Sequence, residues 1–477
     1  MRGLKSLMNP FAKIFWLVSC LALLCIDESR AAVGGVIGGT PIGITARTLY
    51  ANNGANLYAL KTAATAGATI VVGPGLYTVG VTNLLKDQVN WFFYPGAVVS
   101  NFNGGLNFGG IFVNGQYGTV GPMTCTVAGY GTFIQVGGGD ELDIAGMINV
   151  SNAASVISIQ AQRLLISGDS STFYAAAVWD AASFTLEVHE EINGSYGLNE
   201  LAGVSLSGGL WWKNGRGIMT CPRVFTGNAS ALYALGDGSA DYDLTFERIH
   251  STNASAVWLE LTHAENKCWL SAKEIIGGSN FLSRGTAVSI TGGKLYLNAQ
   301  KLSSFSNIGL PVIKQTGGSS WLTAQKVTTT NVSHWFEQTG GFSDVSVLEW
   351  EDNGGGVNAR PYNFLISGGT NYMRSGRALS RWGPGLKLTG GQAEWSGMKL
   401  DTFSTLQGSN VCLWITGGTP VLGNCTFIPG SLFSVSNASA GDLRVYGTGG
   451  LRAKSNITAT LTVRVGTVTV DGTYVDR

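Results

Sequence analysis

Charge is scarce in this 477-residue chain: 12% of its residues are Asp, Glu, Lys or Arg, against roughly 25% in an ordinary soluble domain. Without residues 1–31, which carry four basic and two acidic residues, 26 positive groups face 27 negative ones. No basic block is present that could track a phosphate backbone, so nucleic acid is excluded as the expected partner. Solubility must rest instead on Ser, Thr, Asn and Gly, a surface chemistry suited to an extracellular β-rich shaft. Cysteine is sparse as well, with seven in all and five once Cys20 and Cys25 are set aside. That density excludes a disulfide-built fold, and an odd number leaves at least one thiol without an intramolecular partner. Cys412 and Cys425, the nearest pair, are expected to be buried thiols rather than a disulfide. The four histidines show no His-x-His or His-Glu-x-x-His spacing, so no zinc signature is present.

Long apolar runs are also missing. "IFWLVSCLALLC", Ile14 to Cys25, has twelve residues, too few to cross a hydrocarbon layer of roughly 30 Å as a helix, and no later run reaches about 20. With Arg2, Lys5 and Lys13 ahead of it and a small-x-small pattern ending at Ala31, it reads as an export signal cleaved near residue 31. Cys20, following Leu-Val-Ser, leaves lipid anchoring as the alternative. The expected destination is secretion or the cell surface, without a transmembrane segment.

What the chain has in abundance is glycine, 68 residues of it. Gly pairs begin at Gly292, Gly317, Gly340, Gly368, Gly390 and Gly417, five of them preceded by Thr in runs such as "SITGG", "KQTGG" and "WITGG". The intervals are 25, 23, 28, 22 and 27 residues, the size of one solenoid rung. Five residues beyond the first Gly stand Leu297, Leu322, Val345, Met373, Trp395 and Leu422; ten beyond it stand Leu302, Val327, Trp350, Ala378, Leu400 and Phe427. Position nine carries Lys301, Lys326, Glu349, Arg377, Lys399 and Thr426, a polar column beside an apolar one, as period-two strand geometry requires. Stacked short strands mean parallel pairing at about 4.8 Å per rung. The expected fold is therefore an all-β parallel solenoid of about 17 rungs of about 25 residues, roughly 80 Å long. Position eight places Gln300 and Gln325 either inside, bonded along the axis, or at a corner open to water.

The boundaries expected are an exposed leader over 32–56, the solenoid over 57–455 and a strand cap over 456–477. A short helix with Leu57, Leu60 and Ala64 on one face covers the first rung. The strand Thr69 to Val72 follows, and the chain bends at Gly73, Pro74 and Gly75. The stretch "AATAGATIVVGPGLYTV" resembles the first rung of right-handed parallel β-helix proteins of the pectate-lyase-like superfamily. Gly67, Ile70, Pro74, Gly75 and Tyr77 match that pattern, while Ala68 stands where the family usually has Asp. The resemblance implies a single-stranded right-handed parallel β-helix. It implies no particular activity, because the same shaft serves lyases, hydrolases, epimerases, adhesins and tailspikes.

Within that family, hydrolases carry Asn-x-Asp, Asp-Asp, His-Gly and Arg-x-Lys on successive rungs; no such ordered set occurs here, and Asp-Asp is absent. A lyase needs carboxylates that hold Ca²⁺ and a basic residue that removes a proton. The repeat offers Lys326, Glu349 and Arg377 as catalytic candidates, with Glu349, Glu351 and Asp352 as Ca²⁺ ligands. The competing reading of the same residues is a ladder of opposite charges on a solvated face. His189, His250 and His263, with Glu190, Glu191, Glu247, Glu260 and Glu265, form a second group without metal spacing. "LWWKNGRG" supplies Trp211, Trp212, Lys213 and Arg216 as a sugar-contacting set, one Trp in and one out if the segment is one strand. Three functions follow: a glycan-binding or structural shaft of the cell envelope without turnover or cofactor, a Ca²⁺-dependent polysaccharide lyase, or a self-associating spike subunit.

Overall fold

The computed structural model describes residues 48–475 apart from a series of connecting segments, the longest being 195–209, 167–176 and 403–411; side chains are described chiefly over 48–92 and 185–428. The expected export signal, and most of the 32–56 leader, lie outside the described residues.

The glycine pairs form corners that stack on one another. A Cβ on Gly317, Gly340, Gly368, Gly390 or Gly417 would lie 2.4–2.6 Å from a carbonyl oxygen of the turn before, closer than a side chain can come. The second glycine of each pair takes a left-handed φ, between +66° and +80°, which glycine adopts without the Cβ penalty. Each corner joins a short strand, such as Pro311–Gln315, His334–Gln338 or Phe364–Ile366, to a long one, such as Lys294–Ser306, Ser319–Asn331, Phe342–Asp352 or Thr370–Ser380.

Every described strand pair is parallel, and the register Lys294↔Ser319↔Phe342↔Thr370↔Gln392↔Thr419 reproduces the spacing of the glycines. Both apolar columns are buried as expected, from Leu297 to Leu422 and from Leu302 to Phe427. Each Leu, Val, Met or Phe among them contributes about 1.5–3 kcal/mol by leaving water, and neighbouring turns complete one another's core. Within each long strand the buried positions shift phase. Ala299 is buried and Leu302 is buried, leaving Gln300 and Lys301 both outside, and the pairing skips Gln300, Gln325 and Leu348. The strand bends there, giving two faces from one element. Gln300 and Gln325 thus occupy an exposed corner, and the inward reading of these amides is incorrect.

The expected seventeen uniform rungs are not matched. About nine turns stand between Leu210 and Ile428, and further parallel pairs adjoin them on both sides. Turn length also varies, from 17 residues at Leu451↔Val468 to 34 at Asp180↔Asn214, so chain length divided by a mean interval does not count turns. Near the start, the helix Leu57–Ala63 forms with Asn56 as N-cap, its side chain accepting from the Ala59 amide at 3.0 Å. Thr48–Ala51 is already a strand paired with Thr69–Val72, so the sheet begins inside the segment expected as a leader. Tyr77 is buried and donates its hydroxyl to the Ala51 and Gly73 carbonyls at 3.1 and 3.0 Å, fastening the Gly-Pro-Gly bend to the preceding turn. At the other end, the segment expected as a strand cap holds the short strands Asn456–Thr458, Leu461–Val463, Val468–Val470 and Tyr474–Val475. They continue the parallel ladder. Among the described residues no helix is long and apolar enough to cross a membrane.

Candidate functional site: a polar groove along the bend

Because each long strand bends at the same register position, the bends align into a groove parallel to the axis. One stretch of about 740 Å³ runs from Asn298 to Asn424. A second, of about 410 Å³, shares Asn298 and Gln300 and extends to Thr220. Thr220, Thr245, Ser271, Asn298, Thr323 and Ser346 stand in one register column and are all exposed. Gln300 and Gln325 face them across the bend, and Ala299 and Ala324 form the floor between. A linear molecule lying along the axis meets one polar residue of this column at each turn, about every 4.8 Å, with an opposing amide at the turns of Gln300 and Gln325.

One flank of the groove carries an aromatic stack. Trp269 and Tyr296 lie 3.9 Å apart at 11°, and Tyr296 and Trp321 lie 4.7 Å apart at 8°. Phe342 and Tyr372 continue the line at 5.6 and 5.7 Å in tilted contacts. The ring faces are spent on one another, so solvent meets their edges. A sugar platform needs a free face, and the two ends of the described stack, Trp269 and Tyr372, each have a face not covered by a ring of this stack, Trp269 being 47% exposed. This ladder was missed by sequence reasoning. Its signal was position four beyond the first Gly, where Tyr296, Trp321 and Tyr372 recur.

The other flank is a column of charge. Glu191, Arg223, Arg248, Glu274, Lys301, Lys326, Glu349, Arg377 and Lys399 follow one another in register. The glutamates bridge their neighbours: Glu274 lies 3.3 Å from Arg248 and 2.9 Å from Lys301, and Glu349 lies 3.4 Å from Lys326. Lys326, Glu349 and Arg377 are thus brought to one outward position on successive turns. Lys326 also reaches Glu351 at 2.5 Å. That hydrogen bond, above all, holds its ammonium above the usual lysine range. Asp352 does not join them: it is fully buried and accepts from the Thr329 hydroxyl at 3.2 Å. Strand alternation sends Glu349 and Glu351 out and Asp352 in. Among the described residues no group of three His, Cys, Asp or Glu is placed to hold a metal ion.

The remaining candidates are dispersed. His250 is on the charged face, edge-on to Phe225, and burial lowers its pKa. His189 is 4.0 Å from Glu187, and His263 is exposed in a corner. Glu190 and Glu191 face Arg163 at 3.8 and 3.3 Å, Glu247 pairs with Lys273 and Glu265 with Lys294, and Glu260 accepts from Tyr233. "LWWKNGRG" crosses a corner instead of forming one flat strand. Trp211 and Trp212 pair with Tyr233 and Ala234 on the short-strand face, whereas Arg216 pairs with Asp241 on the next. The side chains of Trp211, Trp212 and Lys213 lie outside the described ones. Cys412 and Cys425 are buried free thiols, as expected. Burial pushes Cys425 up to about 11 and Cys412 up as well.

No protein-family model, curated protein or solved structure matches the chain. The likeness of its first rung to pectate-lyase-like proteins therefore rests on those residues and on the parallel solenoid.

Proposed function

We propose that the chain is an exported or surface-held shaft that binds an extended polysaccharide in the groove along its bend, without turning it over. The observation that carries this reading is the register column of exposed hydroxyls and amides from Thr220 to Ser346, faced by Gln300 and Gln325. Sugar hydroxyls donate and accept, and so do these groups. Right-handed winding belongs to the proposal and is supported by the strong preference of parallel crossover connections for that hand. Export, cleavage near residue 31, a solenoid to about residue 455 and a cap beyond it complete it. Trp211, Trp212, Lys213 and Arg216 are proposed as auxiliary sugar contacts.

The lyase reading has one observation in its favour, the convergence of Lys326, Glu349 and Arg377. Its chemistry is poorly served. A lysine acting as base needs a lowered pKa, whereas two carboxylates hold the Lys326 proton in place. Incubation of the mature chain with a panel of acidic and neutral polysaccharides, with and without Ca²⁺, separates the readings. Retention on one polymer with neither new reducing ends nor the ultraviolet absorbance of an unsaturated product is expected. Either product would overturn the non-catalytic reading, and absence of retention on the whole panel would overturn binding itself.

A further inference from the structure

Three charged residues line the groove from Thr220 to Asn424: Glu247, Lys273 and Arg374. Each already has a partner. Lys273 and Glu247 meet at 2.5 Å, and Arg374 holds both Asp344 oxygens, at 2.6 and 2.7 Å. On the charged flank, Lys301 is held by Glu274, and Lys326 by Glu349 and Glu351. An acidic polymer would bring a carboxylate or sulfate into the groove with every charged sugar. Each would shed water there, and its nearest cations are already engaged with fixed carboxylates. A neutral sugar exchanges its water hydrogen bonds for those of Asn298, Thr323, Ser346, Gln300 and Gln325 with no charge to compensate. Leu348, 68% exposed in the same groove, adds an apolar contact that suits the C–H face of a pyranose ring.

From these contacts we infer that the groove selects an uncharged, extended polysaccharide and discriminates against polyuronates and sulfated glycans. The inference rests on the glycan-binding reading above and names its ligand class. Seven steps between Thr220 and Ser396, about 4.8 Å each, make a track of about 34 Å, so oligosaccharides of several units should bind progressively better with length.

The test is retention of the mature chain on immobilised neutral glucans, galactans, mannans and xylans beside polygalacturonate, alginate and heparin, at low and high salt. Retention on a neutral polymer, unaffected by salt, is the expected result. Gln300→Ala with Gln325→Ala should weaken it roughly tenfold, two neutral hydrogen bonds being lost, while leaving thermal stability unchanged. Gln325→Lys should add salt-sensitive retention on polygalacturonate. Wild-type retention confined to acidic polymers and abolished by salt would overturn the neutral-ligand inference and leave glycan binding standing. Retention on no polymer would overturn the glycan-binding reading, and the inference with it. Neutral binding indifferent to the double substitution would place the site elsewhere and also defeat the inference.

Discussion

Ser343 donates its hydroxyl to Gln338 Oε1 at 2.7 Å across a glycine corner, and one turn earlier Ser320 does the same to Gln315 Oε1, also at 2.7 Å. The Gln338 amide then donates to the Gly341 carbonyl at 3.1 Å and to Thr370, one turn on, at 3.2 Å. Gln315 repeats the pattern with Gly318 and Phe342. Both glutamines are fully buried, so each satisfies polar groups of two turns with one side chain. Gln338→Leu strips Ser343 of its acceptor and leaves carbonyls unserved. A loss of about 1–3 kcal/mol is expected in urea denaturation, and an unchanged midpoint would show that the amide is dispensable.

The corner glycines lend themselves to a paired comparison. Gly54 and Gly341 both have left-handed φ, +80° and +74°, but a Cβ on Gly54 meets open space, whereas one on Gly341 would sit 2.3 Å from the Gly318 carbonyl oxygen. Gly54→Ala should cost about 1–2 kcal/mol, the conformational term alone. Gly341→Ala should cost clearly more, since two backbones of adjacent turns must separate. Equal losses would mean that the stacked corner yields without strain.

Much of this architecture was legible in the sequence because one constraint, the close approach of stacked corners, stamps Gly pairs at each turn. From them the columns headed by Leu297 and Leu302 and the outward Lys326, Glu349 and Arg377 fall out by alternation. The bend was not legible. It places two outward residues in succession, such as Gln300 and Lys301, and strict alternation assigns one of them to the core. With the bend unseen, the groove it creates was unseen too. The tryptophans of "LWWKNGRG" stand out by composition, whereas Tyr296 and Trp321 emerge beside the groove only when the turns are set in register.

Acid sensitivity should centre on Glu337. Its carboxylate lies 3.3 Å from His334 Nε2, and that hydrogen bond, with the nearby charges of His334 and Lys314, holds its pKa below the ordinary 4.5. A depressed carboxylate contributes stability that is fully present above its unfolded pKa and is lost as pH falls through the folded value. The thermal midpoint should therefore lose this contribution below about pH 4.5. Glu337→Gln should flatten that part of the profile. If the variant keeps the wild-type acid slope, the sensitivity belongs to other groups.

The aromatic stack and the groove can be separated by where their loss is felt. Tyr296 is stacked on both sides, by Trp269 at 3.9 Å and Trp321 at 4.7 Å, whereas Trp269 ends the stack. Each ring pair is worth about 0.5–1.5 kcal/mol beyond burial. Tyr296→Ala should thus destabilise the fold by more than Trp269→Ala does, and a double-substitution cycle between the two should return a coupling within that range. Because the rings spend their faces on each other, Tyr296→Ala should leave polysaccharide retention within about twofold of wild type, the counterpart of a groove substitution that lowers retention without lowering stability. Retention that collapses in Tyr296→Ala while the protein remains folded would transfer the ligand from the polar bend to the ring edges.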